Sequence, residues 1–494
     1  MYRPWHNLSG LSREDFKRLQ NEKLHTFINQ YLFPFSPRYQ LLFNEKRVDP
    51  RSIRTSEDLA RLPFTSKMDF VDARTSEICF KEFILEPTQV KIKKAWGPSK
   101  LIPLAVNKIL RGPDYVQYKL AEEFRPVFMT FTTGTTNKPV PFLYSNYDIQ
   151  NLHISGARML ALFDIDRSEK IVNIFPYAPH LAFWQVVFGG LASSALIFST
   201  GGGKTMGTEG NIAILEKIQP SVILGVPSYI YHLLRTARER NKQLPFIKKV
   251  VLGAAKVTVP FKKRLSEILE SLGSKDVAIF GTYGFTEAKS AWAECPSSLD
   301  TSSGYHLYPD KEIVEIIDPT TGEVKKEGED GEIVYTAIDA RGSVMLRYRT
   351  GDFAKGGITW GTCPYCRRTG PRLSSDISRL SDVKDLQLSK VKGALVNFSH
   401  FAITLADIPS VEEWQIELKK KNNDPFDVDE MVVYVCSKNG SDPSKVEEEV
   451  RSKLLLATEV APNEVRFMEM PEMVKRLGLE TENKDKRILD NRPK

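Results

Sequence analysis

Between residues 145 and 280 the apolar positions fall into short blocks at 171–175, 195–198, 221–224, 250–252 and 277–280, separated by stretches of helical spacing near 211–218, 227–241 and 259–272. Short strands joined by helix-length connections predict right-handed crossovers and a parallel sheet covered on both faces. Ligands of such sheets gather beyond the carboxyl ends of the strands, so the loops after 175, 198, 224, 252 and 280 are expected to face one cleft.

The pattern changes on either side of this region. Phe16, Leu19, Leu24, Phe27, Ile28 and Tyr31 share a helical face behind the capping pair Ser12 and Asp15, and Thr55 with Asp58 forms a second such pair. Residues 312–317 and 332–336 read as strands around the turn Asp318-Pro319-Thr320-Thr321-Gly322, which predicts a β-rich subdomain. Beyond a lysine-rich link, strands at 414–418 and 431–435, a helix over 443–456 and a strand at 464–468 predict a small α+β unit. The fold expected is α/β, with a large N-terminal domain over 1–381 and a C-terminal lid over 382–494.

Two apolar stretches need separate treatment. Residues 181–203 carry no charge and are long enough to cross a bilayer, but Gln185, Gly189, Gly190, Ser193 and Ser194 break the run into a buried helix near 183–188 and the strand at 195–198. Around the apolar run 101–106 stand Lys91, Lys93, Lys94, Lys100, Lys108 and Arg111. A surface helix with a solvated basic face is the first expectation there, and a patch meeting lipid or an acidic partner is the second.

A chain of 494 residues exceeds one ordinary core, and its net charge of +7 comes from 69 basic against 62 acidic side chains. That mixture does not require nucleic acid; anionic small molecules suit it equally. Five cysteines, with Arg13, Glu14 and Asp15 where a leader would be apolar, predict a cytoplasmic protein with reduced thiols.

Candidate chemistry is densest at 129–142, Met-Thr-Phe-Thr-Thr-Gly-Thr-Thr-Asn-Lys-Pro-Val-Pro-Phe. Gly134 lets backbone approach an anion, Thr132, Thr133, Thr135 and Thr136 offer hydroxyls, and Lys138 adds a mobile positive charge, so the loop suits phosphate. A connecting turn rich in threonine fits the same letters. Gly201-Gly202-Gly203-Lys204-Thr205 imitates a nucleotide-triphosphate loop but has Phe198 where that motif needs glycine, and reads as a strand-to-helix turn. Cys363-Pro364-Tyr365-Cys366 has the spacing for two thiolates on one metal; with Cys295 and His306 it would complete a closed Cys₃His site for structural zinc.

Three further segments follow the threonine-rich loop in order: Tyr283-Gly284-Phe285-Thr286-Glu287, Tyr348-Arg349-Thr350-Gly351-Asp352 and Asn483-Lys484-Asp485-Lys486-Arg487. Together they resemble the acyl-adenylate-forming (ANL) superfamily and, within it, the phenylacetate–coenzyme A ligase family. The resemblance implies an enzyme that joins a carboxylic acid to AMP and passes the acyl group to a thiol, with ATP and Mg²⁺ as cofactors and coenzyme A as co-substrate. It implies that Thr132, Thr133, Gly134, Thr135, Thr136 and Lys138 hold the β and γ phosphates, that Glu287 binds Mg²⁺, and that Thr286 contacts the α phosphate. Ala254 and Ala255 would flank adenine, with Tyr283 also at the nucleotide. Asp352 and Arg379 would contact the ribose, and Lys484, with Lys486 as rival, would neutralise charge during adenylation.

The match has departures. Asn137 stands where the loop commonly has glycine, and the hinge is stretched, leaving Asp382 as pivot with Lys384 and Asp385 as rivals. An aryl or arylacetic acid is expected from Phe175, Tyr177, His180, Phe183 and Trp184 near the cleft. A fatty acid, a carrier-protein thiol, a deazaflavin coenzyme as adenylyl acceptor and a non-catalytic nucleotide-binding homologue remain as alternatives. The partners implied are a small carboxylic acid and a thiol, and a homodimer is left open.

Overall fold

The computed structural model describes all residues except 1–4, 6, 7, 9, 71–77, 133–138, 381–387, 392, 393, 421–428, 459, 483, 484, 493 and 494. The first helix, α1 (Arg13–Phe27), opens as its sequence requires: Ser12 Oγ accepts the Asp15 N–H, and Phe16, Leu24 and Phe27 are buried. Thr55 and Asp58 also cap as a pair, but they open a 3₁₀ turn over Ser56–Arg61 in place of an α-helix. A second helix, α2 (Pro37–Glu45), precedes them.

The basic segment forms two helices, α3 (Gln89–Ala95) and α4 (Pro98–Arg111), divided at Trp96 and Gly97. After α5 (Pro113–Phe124), strands β1 (Pro126–Phe131) and β2 (Pro141–Ser145) make an antiparallel hairpin with Phe131 opposite Pro141. The threonine-rich loop is therefore a hairpin connection. Its residues 133–138 lie outside the described part of the chain.

Helix α6 (Asn146–Leu162) leads into the main sheet, whose strands are β3 (Lys170–Asn173), β4 (Leu196–Ser199), β5 (Val222–Gly225), β6 (Lys249–Leu252), β7 (Ala278–Phe285) and β8 (Ser290–Ala293). Their order is β4-β3-β5-β6-β7-β8, parallel except for the β7–β8 pair. The connections are α7 (Leu181–Ser193), α8 (Gly203–Ile218), α9 (Pro227–Glu239) and α10 (Val259–Ser271). Every residue of β5 is buried, which explains its unbroken apolar run; an Ile223→Ala cavity there would cost about 2–5 kcal/mol. No helix among the described residues is long and apolar enough to cross a membrane.

Strand β7 outruns its expected end and changes partner, from β6 to the antiparallel β8, so its last residues project past the sheet. There follow β9 (Tyr305–His306), β10 (Glu312–Ile317), β11 (Gly331–Ala337), β12 (Tyr348–Ala354), β13 (Ile358–Thr359), β14 (Arg372–Leu373) and β15 (Ile377–Arg379). They form an antiparallel sheet β10-β11-β12-β15 and a smaller one, β13-β14-β9. A two-stranded pair, β16 (Leu388–Val391) and β17 (Ala394–Asn397), precedes the last unit.

That unit contains α11 (Phe398–Ala406), β18 (Val411–Lys420), β19 (Asp429–Ser437), α12 (Pro443–Thr458), β20 (Glu464–Phe467), α13 (Met470–Leu477) and β21 (Ile488–Asp490). Its mixed sheet runs β20-β19-β18-β21. Its apolar side chains form clusters of their own, around Ile416, Val433 and Leu454 on one side and Met473 and Leu477 on the other. This is a mixed α/β architecture with β-rich subdomains, as the alternation of apolar blocks requires.

Candidate active site

The carboxyl ends of the parallel strands meet at one rim. Past β3, Tyr177 donates its N–H to Gly201 O at 3.1 Å; past β5 and β6, the Gly253 N–H reaches Gly225 O at 3.2 Å, and Thr282 Oγ1 donates to Leu252 O at 3.0 Å. Gly253 must lack a side chain, because a Cβ would lie 2.4 Å from Thr282 Oγ1. Ala254 holds a left-handed φ of 67°, a strained conformation that concentrates at ligand-binding loops, and it and Ala255 are exposed.

The β1–β2 hairpin is fastened to the same rim. The Phe131 N–H donates to Pro179 O at 2.7 Å, and His180 Nδ1 lies 3.0 Å from Phe131 O. Thr132 is buried, and its Oγ1 accepts the Val140 N–H at 3.1 Å while its own N–H reaches Val140 O. It closes the base of the loop. Thr133, Gly134, Thr135, Thr136 and Lys138 lie outside the described residues, so the structure fixes the roots of the expected phosphate loop.

The projecting end of β7 brings two motifs together. The Tyr283 hydroxyl donates to Asp352 Oδ2 at 2.8 Å, and the Tyr348 hydroxyl donates to Glu287 Oε1 at 2.8 Å. Asp352 is buried and stands opposite Arg379 in the β12–β15 register, with Arg379 Nη1 3.0 Å from its Oδ1. Thr350 Oγ1 accepts the Asp352 N–H at 3.1 Å and donates to Ile333 O at 2.9 Å, which fixes the turn at Gly351. Thr286, Glu287 and Ala288 form a 3₁₀ turn directly after β7. Withdrawal from water raises the Glu287 pKa, against the hydrogen bond from Tyr348.

A buried pair supports this corner. Lys289, two residues past Glu287, donates to Asp148 Oδ1 at 2.8 Å; Asp148 also accepts the Ser145, Arg341 and Gly342 N–H groups. The hairpin exit, the Glu287 turn and the chain before β12 are thereby tied to one carboxylate. The only signal of this in the sequence is the capping pair Ser145 and Asp148; the partners come from distant segments.

The aromatic side chains divide into two groups. Phe175 is buried against Gly253 and belongs to the core, whereas Tyr177, Phe183 and Trp184 form an edge-on ring cluster with centroids 5.3–6.0 Å apart beside the rim. His180 is engaged with the hairpin.

From the C-terminal unit, the turn after α13 reaches the same side of the molecule. Glu480 accepts a short hydrogen bond from the Thr208 hydroxyl, in α8, and its Oε1 lies 3.5 Å from Nε2 of His232, in α9. Lys484 lies four positions on, outside the described residues, as do Asp382, Lys384 and Asp385. Lys486 Nζ pairs with Glu482 at 2.7 Å.

Cys295, His306, Cys363 and Cys366 converge with all four ligand atoms within 4.8 Å of one another. The Cys295 and Cys363 sulfurs are 3.6 Å apart, and Cys366 Sγ lies 3.7 Å from His306 Nε2. Those edges match the roughly 3.8 Å edge of a tetrahedron with zinc–sulfur bonds of about 2.3 Å, and exceed a disulfide bond of about 2.0 Å. The Cys295 N–H is held by Ser303 Oγ at 2.9 Å.

Residues 72–348, more than half of the chain, match the family described as AMP-binding enzyme. The chain belongs to that family. Among curated relatives of this AMP-binding enzyme, the phenylacetate-coenzyme A ligase of Thermus thermophilus is 26% identical over 426 residues, 85% of this chain and 82% of the relative. The phenylacetate-coenzyme A ligase of Escherichia coli is 24% identical over 401 residues, 79% and 78% of the two chains. Among solved structures, 2-hydroxyisobutyryl-CoA ligase in the postadenylation state superposes with a TM-score of 0.75 at 18% identity, covering 98% of this chain and 91% of that one. The last likeness establishes the fold. The resemblance read from the four motifs holds at the level of the superfamily.

Proposed function

We propose that this AMP-binding enzyme is an acid–thiol ligase: a carboxylate oxygen attacks the α phosphorus of ATP, pyrophosphate leaves, and a thiol then attacks the acyl carbon and releases AMP. The observation that carries the reading is the convergence of Tyr283, Glu287, Tyr348 and Asp352 at the carboxyl rim of the parallel sheet, beside the roots of the threonine-rich hairpin. Asp352, with Arg379 across from it, accepts the ribose hydroxyls, and Tyr283 orients it. Ala254 and Ala255 flank adenine with backbone, and Thr132 anchors the loop in which Thr133, Gly134, Thr135, Thr136 and Lys138 hold phosphates.

Glu287 suits Mg²⁺, because one carboxylate together with triphosphate oxygens is the donor set that this cation takes. Held by Glu287, Mg²⁺ would supply positive charge beside the leaving pyrophosphate. Thr286 faces the α phosphate and Lys484 stabilises the developing charge once the C-terminal unit, from residue 382, closes on the larger 1–381 unit. Glu480 docked on Thr208 supports this role for the tail.

The names of the relatives and the Tyr177–Phe183–Trp184 ring cluster favour an aryl or arylacetic acid, with coenzyme A as the thiol. The four-ligand cluster favours a structural zinc ion that ties the chain after Glu287 to the chain before Arg379. The direct test is pyrophosphate release from ATP across a panel of aryl, arylacetic and fatty acids. Release that depends on an arylacetic acid, followed by coenzyme A thioester, is the expected result; ATP binding without release for any acid overturns the reading.

A further inference from the structure

Helix α4 turns the wrong face outward. Leu101 and Leu104 pack partly against the main core, so the opposite face meets solvent. A water-facing stripe is ordinarily polar. Here it consists of Ile102, Val106 and Ile109, spaced i, i+4 and i+7, with Leu110 beside them; they are 60%, 46%, 83% and 75% exposed. No residue of α4 is buried. The stripe runs about 12 Å along the helix at 1.5 Å per residue. Tyr118, on the adjoining α5, is also exposed.

Along the chain, the charge flanking the stripe is basic between Glu86 and Asp114. Residues 87–113 carry six cations, Lys91, Lys93, Lys94, Lys100, Lys108 and Arg111, and no acid. Lys100 is committed inward: its Nζ lies 2.5 Å from the Tyr31 hydroxyl and 4.1 Å from that ring's centroid, which pins the start of the helix to the body. Lys93, Lys94, Lys108 and Arg111 are exposed. The first expectation from the sequence is a surface helix with a solvated basic face, and the second a patch meeting lipid or an acidic partner. The structure has an apolar stripe outward, accompanied by cations.

We propose that α4 is a docking surface for an anionic lipid bilayer, with Ile102, Val106, Ile109 and Leu110 inserted at the headgroup boundary and the exposed Lys93, Lys94, Lys108 and Arg111 paired with lipid phosphates. An exposed apolar stripe alone would fit many partners. Charge complementarity selects the bilayer: a run of cations without an acid meets a surface of uniform negative charge, while the stripe needs an apolar layer that yields to its shape. An acidic protein groove would satisfy the cations but would have to supply a matching apolar slot.

The test is flotation of the full chain with vesicles of phosphatidylcholine alone or with about 30 mol% phosphatidylglycerol, where each cation near the surface adds to the attraction. Binding to the anionic vesicles only, lost in about 0.5 M salt where charges are screened, is expected. Ile109→Glu with Leu110→Glu should lower binding at least about tenfold by removing two inserted side chains, and Lys108→Gln with Arg111→Gln should weaken it by a smaller factor. Both pairs are exposed, so unchanged melting temperatures will show that the fold is intact. Wild-type chain that ignores anionic vesicles, or Ile109→Glu/Leu110→Glu chain that binds them as well as wild type, overturns the proposal. A wild-type dimer that this pair dissolves, without vesicle binding, assigns the stripe to a second copy and overturns it equally.

Discussion

Asp352 and Arg379 face each other across two neighbouring antiparallel strands, 3.0 Å apart, with the hydroxyl of Tyr283 on the other oxygen of the same carboxylate. A buried carboxylate held from both sides is oriented before any ligand arrives. Asp352→Ala removes an ionised acceptor worth about 1.5–3 kcal/mol per hydrogen bond, so the specificity constant for ATP should fall roughly 10- to 100-fold. Tyr283→Phe should fall by a smaller factor, mainly through KM. Steady-state kinetics in ATP checks both, and wild-type values for Asp352→Ala would remove the aspartate from the nucleotide site.

The Cys₃His cluster makes a separate prediction. Purified protein should contain one zinc per chain by elemental analysis, and Cys363→Ser should lose it together with several degrees of thermal stability. Wild-type chain without metal contradicts the assignment.

Acid stability follows from Asp339, which accepts Lys311 Nζ at 2.7 Å, Lys23 Nζ at 3.2 Å and the Tyr147 hydroxyl at 2.6 Å. Burial alone would raise its pKa, but Lys311 and Lys23 outweigh this and hold it at about 2. The folded value lies below the unfolded one of about 3.9, so the contribution is complete above about pH 4 and is lost as pH falls through 2. It amounts to roughly 2–3 kcal/mol. Denaturant melts of Asp339→Asn should show that loss at neutral pH and a shallower decline between pH 4 and 2, on the order of the same amount. Parallel curves for the two proteins would show that this aspartate is not the group responsible.

The contact of Glu480 with Thr208 and His232 is one of those between the two units, beside Arg264 on Ala406 O and Ile408 O and Arg238 on Glu412, and it rests on a half-exposed carboxylate. Thr208→Val should leave the melting temperature nearly unchanged, because the contact lies at a boundary between separate cores. It should slow pyrophosphate release while sparing thioester formation from supplied acyl-AMP, as expected if docking precedes adenylation. Equal slowing of both half-reactions would assign Thr208 a general structural role.

Much of this architecture is legible in the sequence for identifiable reasons. Strands buried on both faces, such as β5, leave unbroken apolar runs, and Ser12 with Asp15 marks a helix start through its own hydrogen bonds. Tyr348 and Glu287 illustrate what is not legible: both belong to motifs visible in the sequence, yet their contact spans 61 residues and depends on β7 outrunning its sheet. Lys289 with Asp148 is not legible either, because most of that carboxylate's partners are backbone N–H groups, which no side-chain pattern encodes. In the basic segment 90–111 the sequence shows the letters of a surface helix, but neither its division at Trp96 and Gly97 nor which apolar residues the body covers.

The proposed chemistry is tested most directly by the fate of the acid's oxygen. With the carboxylate of the most active acid labelled with heavy oxygen, and ATP, magnesium and coenzyme A supplied, each thioester formed should leave one heavy atom in AMP, because that oxygen bridges carbon and phosphorus in the acyl-adenylate. Unlabelled AMP, or label in orthophosphate with ADP as the nucleotide product, would contradict an adenylate route.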